Sequence, residues 1–108
     1  MLSRLRFSAV AMAAIAAATL SAPARADGFV NVLTGGTSGV YYPLGVALSQ
    51  IYGEGIPGVK TQVQATKASV ENLNLLQQGR GEIAFTLGDS LRDAWEGNTE
   101  VGFKGKLD

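Results

Sequence analysis

The amino-acid sequence predicts an α/β fold: a small parallel sheet wound as βαβαβα, with its strands in the order second, first, third. Three observations carry that prediction. A short β-forming run ends in a glycine-rich turn that opens a helix. Two further strand-like segments, at 59–65 and 82–87, are each followed by a helix start signal. Strand and helix therefore alternate, which implies parallel strands joined by right-handed crossovers.

The first strand is carried by Val30, Val32 and Leu33 and ends at Thr34. Gly35, Gly36 and Gly39 follow and let a ligand approach the backbone closely. Pro43 suits the first turn of the next helix, where a missing N–H costs little. Such a turn presents unpaired N–H groups and the positive end of a helix dipole, a cradle for a small anionic or zwitterionic ligand. The same glycines would equally serve a plain βα turn with no ligand.

The first helix is read from Tyr41, Leu44, Leu48, Ile51 and Tyr52, which share one face, and it ends in the run Gly53, Gly55, Pro57, Gly58. Residues 59–65 alternate, with Val59, Thr61, Val63 and Ala65 opposite Lys60, Gln62 and Gln64, as in a strand with one wet face. Ser69 is the expected N-cap of the second helix, whose face is Val70, Leu73 and Leu76, and Gly79 its terminator. Glu82 to Leu87 is almost unbroken apolar sequence and predicts a strand covered on both faces. Asp89 or Ser90 then caps a short third helix through Trp95, closed by Gly97. Trp95 is expected to pack within the domain, and residues 98–108 form an irregular polar tail.

In this topology ligands sit beyond the carboxyl ends of the strands. The loops at Gly35–Gly39, Thr66–Ser69 and Gly88–Ser90 all lie there, so one shared site is expected.

The first 26 residues read as a leader. Arg4 and Arg6 precede an apolar run from Phe7 to Leu20, and Ala24-Arg25-Ala26 is a small-x-small cleavage site. Export to the periplasm with cleavage after Ala26 is the expectation. Residues 27–108 then carry six basic against nine acidic side chains, a net charge of −3 without a basic cluster. That excludes the usual electrostatics of nucleic-acid binding. With no cysteine and no histidine, thiolate metal sites, disulfides and His-based nucleophile–base pairs are also excluded. The glycine turn lacks the Gly-Lys-Ser/Thr of a P-loop and the spacing of a dinucleotide fingerprint. No catalytic residue, metal or cofactor is expected. An enzyme using this loop as an anion site would have to rely on an Asp or Glu base alone.

Residues 34–45 (Thr-Gly-Gly-Thr-Ser-Gly-Val-Tyr-Tyr-Pro-Leu-Gly), 63–66 (Val-Gln-Ala-Thr), 69–73 (Ser-Val-Glu-Asn-Leu) and 82–85 (Glu-Ile-Ala-Phe) together resemble the TAXI family, the extracytoplasmic solute receptors of TRAP transporters. The resemblance implies the first lobe of a two-lobed, type II-like periplasmic-binding-protein fold. It also implies a small organic acid or amino acid, glutamate-like, as ligand, and a TRAP-type permease as the partner of a monomeric receptor. Carried over by position, the ligand-binding residues are Thr37, Ser38, Gly39 and Tyr42 on the glycine loop, Ser69 and Asn72 on the second wall, and Asp89 on the third, and the Val40 main-chain amide is a further expected donor. Tyr41 is assigned to the core because it lies on the apolar stripe.

The sequence departs from that family in two places. Lys67-Ala68 stands where the family has a Gly-Gly pair, and Leu87-Gly88 where it has a Gln and a small polar residue. Lys67 either pairs with a ligand carboxylate or is a solvated loop lysine. Residues 27–108 are expected to be only part of the first lobe, and to bind solute weakly or not at all. A partial or non-functional gene product is the alternative to a working receptor.

Overall fold

The computed structural model describes residues 28–108; the predicted leader lies outside the described residues. Strands β1 (Gly28–Leu33), β2 (Val59–Gln64) and β3 (Ile83–Ala84) form one parallel sheet in the order β2-β1-β3. The helices α1 (Tyr41–Gly55), α2 (Ser69–Gln77) and α3 (Gly88–Glu96) alternate with them, and a 3-10 turn spans Thr99–Val101. The predicted fold class and strand order are as found.

The strands are unequal. All six residues of β2 are in register with β1, from Gly28 opposite Val59 to Leu33 opposite Gln64. β3 pairs only through Val32–Ile83 and Leu33–Ala84, extended by the Phe85 amide donating to the Leu33 carbonyl at 3.0 Å. Below this short ladder the Glu82 amide donates to the Asn31 carbonyl at 3.1 Å, while the Glu82 carboxylate accepts the Asn31 N–H at 2.6 Å. The long buried strand predicted over 82–87 is thus shorter than expected and half-buried, because only β1 flanks it.

The β1–β2 and β2–β3 crossovers run in opposite directions across the sheet, which places α1 and α2 on its opposite faces. α1 meets the sheet through small residues. A β-carbon at Gly45 would strike Thr34 and press on Val63 and Val32, while Ser49 is buried four residues on and Gly53 comes near Thr61. The face predicted from the apolar residues is therefore only partly right: Tyr41, Leu48 and Tyr52 are half-buried, but Leu44 is 49 % exposed and Ile51 is 65 % exposed. The physical reason is the short distance between helix and sheet, which only Gly, Ser and Gly at i, i+4 and i+8 permit.

On the other face, Leu73 of α2, Ala94 of α3 and Phe103 form the core cluster, with Val70 and Leu107 packed against it. The tail, irregular apart from the 3-10 turn, packs onto this cluster. Phe103 is 2 % exposed, and the Leu107 amide donates to the Ala94 carbonyl at 3.0 Å. Trp95, assigned to packing, is 69 % exposed because its neighbour Ala94 takes the inward position.

Both glycine terminators act as predicted. Gly79 (φ 71°) and Gly97 (φ 73°) adopt left-handed backbone and close paired turn bonds onto the preceding helix. The caps at the other ends differ from expectation. Ala68 and Leu87, not Ser69 and Asp89, occupy the N-cap positions of α2 and α3, and neither makes a side-chain cap bond.

Candidate functional site

A cleft of about 400 Å³ lies at the carboxyl ends of the strands. Its first wall is the β1–α1 loop, with Gly35, Gly36, Gly39, Val40 and the first helical residue, Tyr41. Ala68 and Ser69 from the β2–α2 loop make the second wall, and Leu87 before α3 makes the third. The first two of the loops named from sequence line this cleft; the third contributes Leu87, one residue before the Gly88–Ser90 stretch.

All three helices begin at the cleft, so three dipoles present their positive ends to it. The first intrahelical bond of α2 runs from the Asn72 amide to the Ala68 carbonyl, at 2.9 Å. The amides of Ser69, Val70 and Glu71 precede that ladder and are the groups a helix start offers to an anion. None of the lining side chains is charged. The walls are otherwise apolar, and Tyr41 is backed by Phe85, the two rings stacked with centroids 5.3 Å apart.

Behind the cleft, a buried polar network fixes the three loops to one another. Asn72, fully buried, donates its side-chain amide to the carbonyls of Thr34 (2.6 Å) and Phe85 (2.8 Å), and its Oδ1 accepts from the Thr66 hydroxyl at 2.5 Å. The Thr66 hydroxyl oxygen accepts from the Ala68 amide at 3.0 Å, and the Thr34 hydroxyl donates to the Gln64 carbonyl at 2.7 Å. Ser69 accepts the Leu87 amide on its Oγ at 2.9 Å, tying the second wall to the third. The Glu71 carboxylate reaches back to accept the Lys67 amide at 2.8 Å and caps the start of α2.

Of the residues carried over from sequence, Gly39, Val40 and Ser69 line the cleft. Thr37 and Ser38 form the exposed tip of the turn closed by the Gly39 amide and the Gly36 carbonyl at 2.9 Å, at the rim. Tyr42 is half-buried, and Tyr41 is the tyrosine that lines the cleft. Asn72 sits behind the walls. Asp89 is exposed, and its Oδ1 accepts the Ser90 amide at 2.7 Å. Lys67 is exposed and is not among the lining residues.

Sequence reasoning missed Tyr41, Ala68 and Leu87. Tyr41 was available from position alone, since the first residue of a helix that opens at the sheet end faces the site. Ala68 and Leu87 stood out in the sequence only as departures from the family pattern, because a small and an apolar residue in loops carry no chemistry of their own. Among the described residues there is no group of three or more His, Cys, Asp or Glu placed to hold a metal ion.

A family model, the NMT1-like family, matches residues 32–108, from the middle of β1 to the end of the tail.

Proposed function

The chain belongs to the NMT1-like family, a periplasmic-binding-protein-like family, and on that premise we propose that it is an extracytoplasmic solute receptor for a small carboxylate or amino acid. The single observation that carries this reading is the cleft itself, where three helix starts and their loops converge on about 400 Å³ of space. Main-chain amides and helix dipoles supply attraction for a carboxylate without a fixed cation, and the apolar walls hold the rest of the solute. Its role is binding and delivery, with a TRAP-type permease as the recipient and glutamate-like solutes as the first candidates. The leader directs it to the periplasm, where cleavage after Ala26 releases it.

The test is saturation-transfer difference NMR on the full chain with L-glutamate, comparing the wild type with Gly36→Phe. A β-carbon at Gly36 meets nothing within 4 Å and Gly36 lines the cleft, so the fold accepts a bulky side chain at that wall. The expected result is transfer to glutamate in the wild type, lost in the variant at an unchanged melting temperature. Transfer that survives the blocked cleft, or is absent from both proteins, sinks the proposal.

A further inference from the structure

Ala68 is the only non-glycine residue at positive φ among the described residues, at φ 76° and ψ −142°. Those angles fall beside a region that is essentially reserved for glycine, and an L-residue persists there only where its surroundings over-determine it. Here they do. The Ala68 amide is held by Thr66 Oγ1, its carbonyl by the Asn72 amide, and the preceding Lys67 amide by the Glu71 carboxylate.

Every one of those bonds uses main-chain atoms of residues 67 and 68, so glycine would keep them all without strain. The β-carbon is the one thing alanine adds, and it lies in the cleft. Ala68 is a lining residue, and a β-carbon built on Gly35 would stand 3.5 Å from the Ala68 methyl. The methyl thus faces Gly35 where the first and second walls approach each other. Its neighbours Ser69 and Val70 supply amides at the start of α2.

We infer that Ala68 is the specificity-determining residue of the cleft: its methyl group excludes carboxylate solutes whose carbon next to the carboxylate is quaternary. The inference rests on the solute-receptor reading. A carboxylate docked on the Ser69 and Val70 amides brings its adjacent carbon to the Ala68 methyl. A carbon that keeps a hydrogen, like the α-carbon of glutamate, fits beside that methyl and a quaternary one does not. Fit at the level of one methyl group discriminates by about 10–200-fold.

The experiment compares wild type and Ala68→Gly as full chains, by thermal melting and by saturation-transfer difference NMR with two probes, L-glutamate and 2-methyl-L-glutamate. The wild type is expected to prefer glutamate by about tenfold or more, and Ala68→Gly to bind the two within about threefold. The variant is also expected to melt higher, by about 4 °C, because glycine relieves the strained backbone. A melting temperature that stays level or falls overturns the strain argument and the inference with it. A higher melting temperature with the preference unchanged overturns the specificity role and leaves the receptor reading standing. Transfer to neither probe in either protein overturns the receptor reading, and the inference falls with it.

Discussion

The side-chain amide of Asn72 donates 2.6 Å to the main-chain carbonyl of Thr34, joining the start of α2 to the last residue before the glycine turn. The same amide group holds the Phe85 carbonyl at 2.8 Å, so one buried side chain fastens the ends of β1 and β3. The loops of the cleft are positioned by this clamp more than by packing between them.

Asn72→Ala leaves the Thr34 and Phe85 carbonyls without this buried donor. Each unsatisfied buried group costs about 1–3 kcal/mol, so urea unfolding should show a loss of about 2–4 kcal/mol. Asn72→Asp should lose a similar amount, since a carboxylate cannot donate to either carbonyl. A loss under about 0.5 kcal/mol in both variants would remove the clamp from the account.

Gly45→Ala and Gly53→Ala should move stability in opposite directions. At Gly45 the new methyl meets Thr34, whose rotamer is fixed by its bond to the Gln64 carbonyl. Overpacking there should cost about 1–3 kcal/mol. At Gly53 the nearest atom is 3.4 Å away, and better helix propensity should yield a gain of about 0.5–1 kcal/mol. Equal effects of the two substitutions would contradict the close approach at Gly45.

Much of this fold is legible in the sequence, because periodicity and glycine placement report backbone geometry directly. The parallel sheet follows from the alternation of strands and helices, and Gly79 and Gly97 announce the helix ends that they close. The inward face of α1 is not legible from hydrophobicity. Burial there is decided by how closely a helix can approach a sheet, and Gly45 and Ser49 carry no apolar signal. The cleft was legible as three loops at one sheet edge. Which atoms line it depends on turn geometry, and Tyr41 replaces its neighbour by a rotation of one residue.

Phe103→Ala should destabilise the protein by about 3–5 kcal/mol, as expected for emptying a buried aromatic site. Calorimetry on this variant tests whether the segment after α3 belongs to the folded unit. A free tail would show no change.

Trp95 is the chain's one tryptophan and reports its own environment. With 69 % of its surface exposed, its fluorescence should be quenched by iodide nearly as readily as that of free indole in water. Strong protection from iodide would mean that the α3 surface is covered in solution.

Removing the Glu71 carboxylate should loosen the start of α2. Glu71→Ala loses the bond to the Lys67 amide and should cost about 1 kcal/mol, while Glu71→Gln keeps an acceptor there and should cost less. Denaturant melts of the pair resolve the difference; equal losses would point to charge rather than the hydrogen bond.

The six-residue ladder on one side of β1 and the two-residue ladder on the other make the sheet unevenly cooperative. Segments with few shared hydrogen bonds open at lower free energy than the whole molecule unfolds. Amides of β3 and the start of α3 should therefore exchange with deuterium ahead of those of β1 and β2. Leu87 belongs to that labile part, so the third wall can come away while the other two stay in place. Solute capture by this cleft would then be governed by a local opening equilibrium, with the population of the closed three-walled form reducing the apparent affinity below that of the intact cleft.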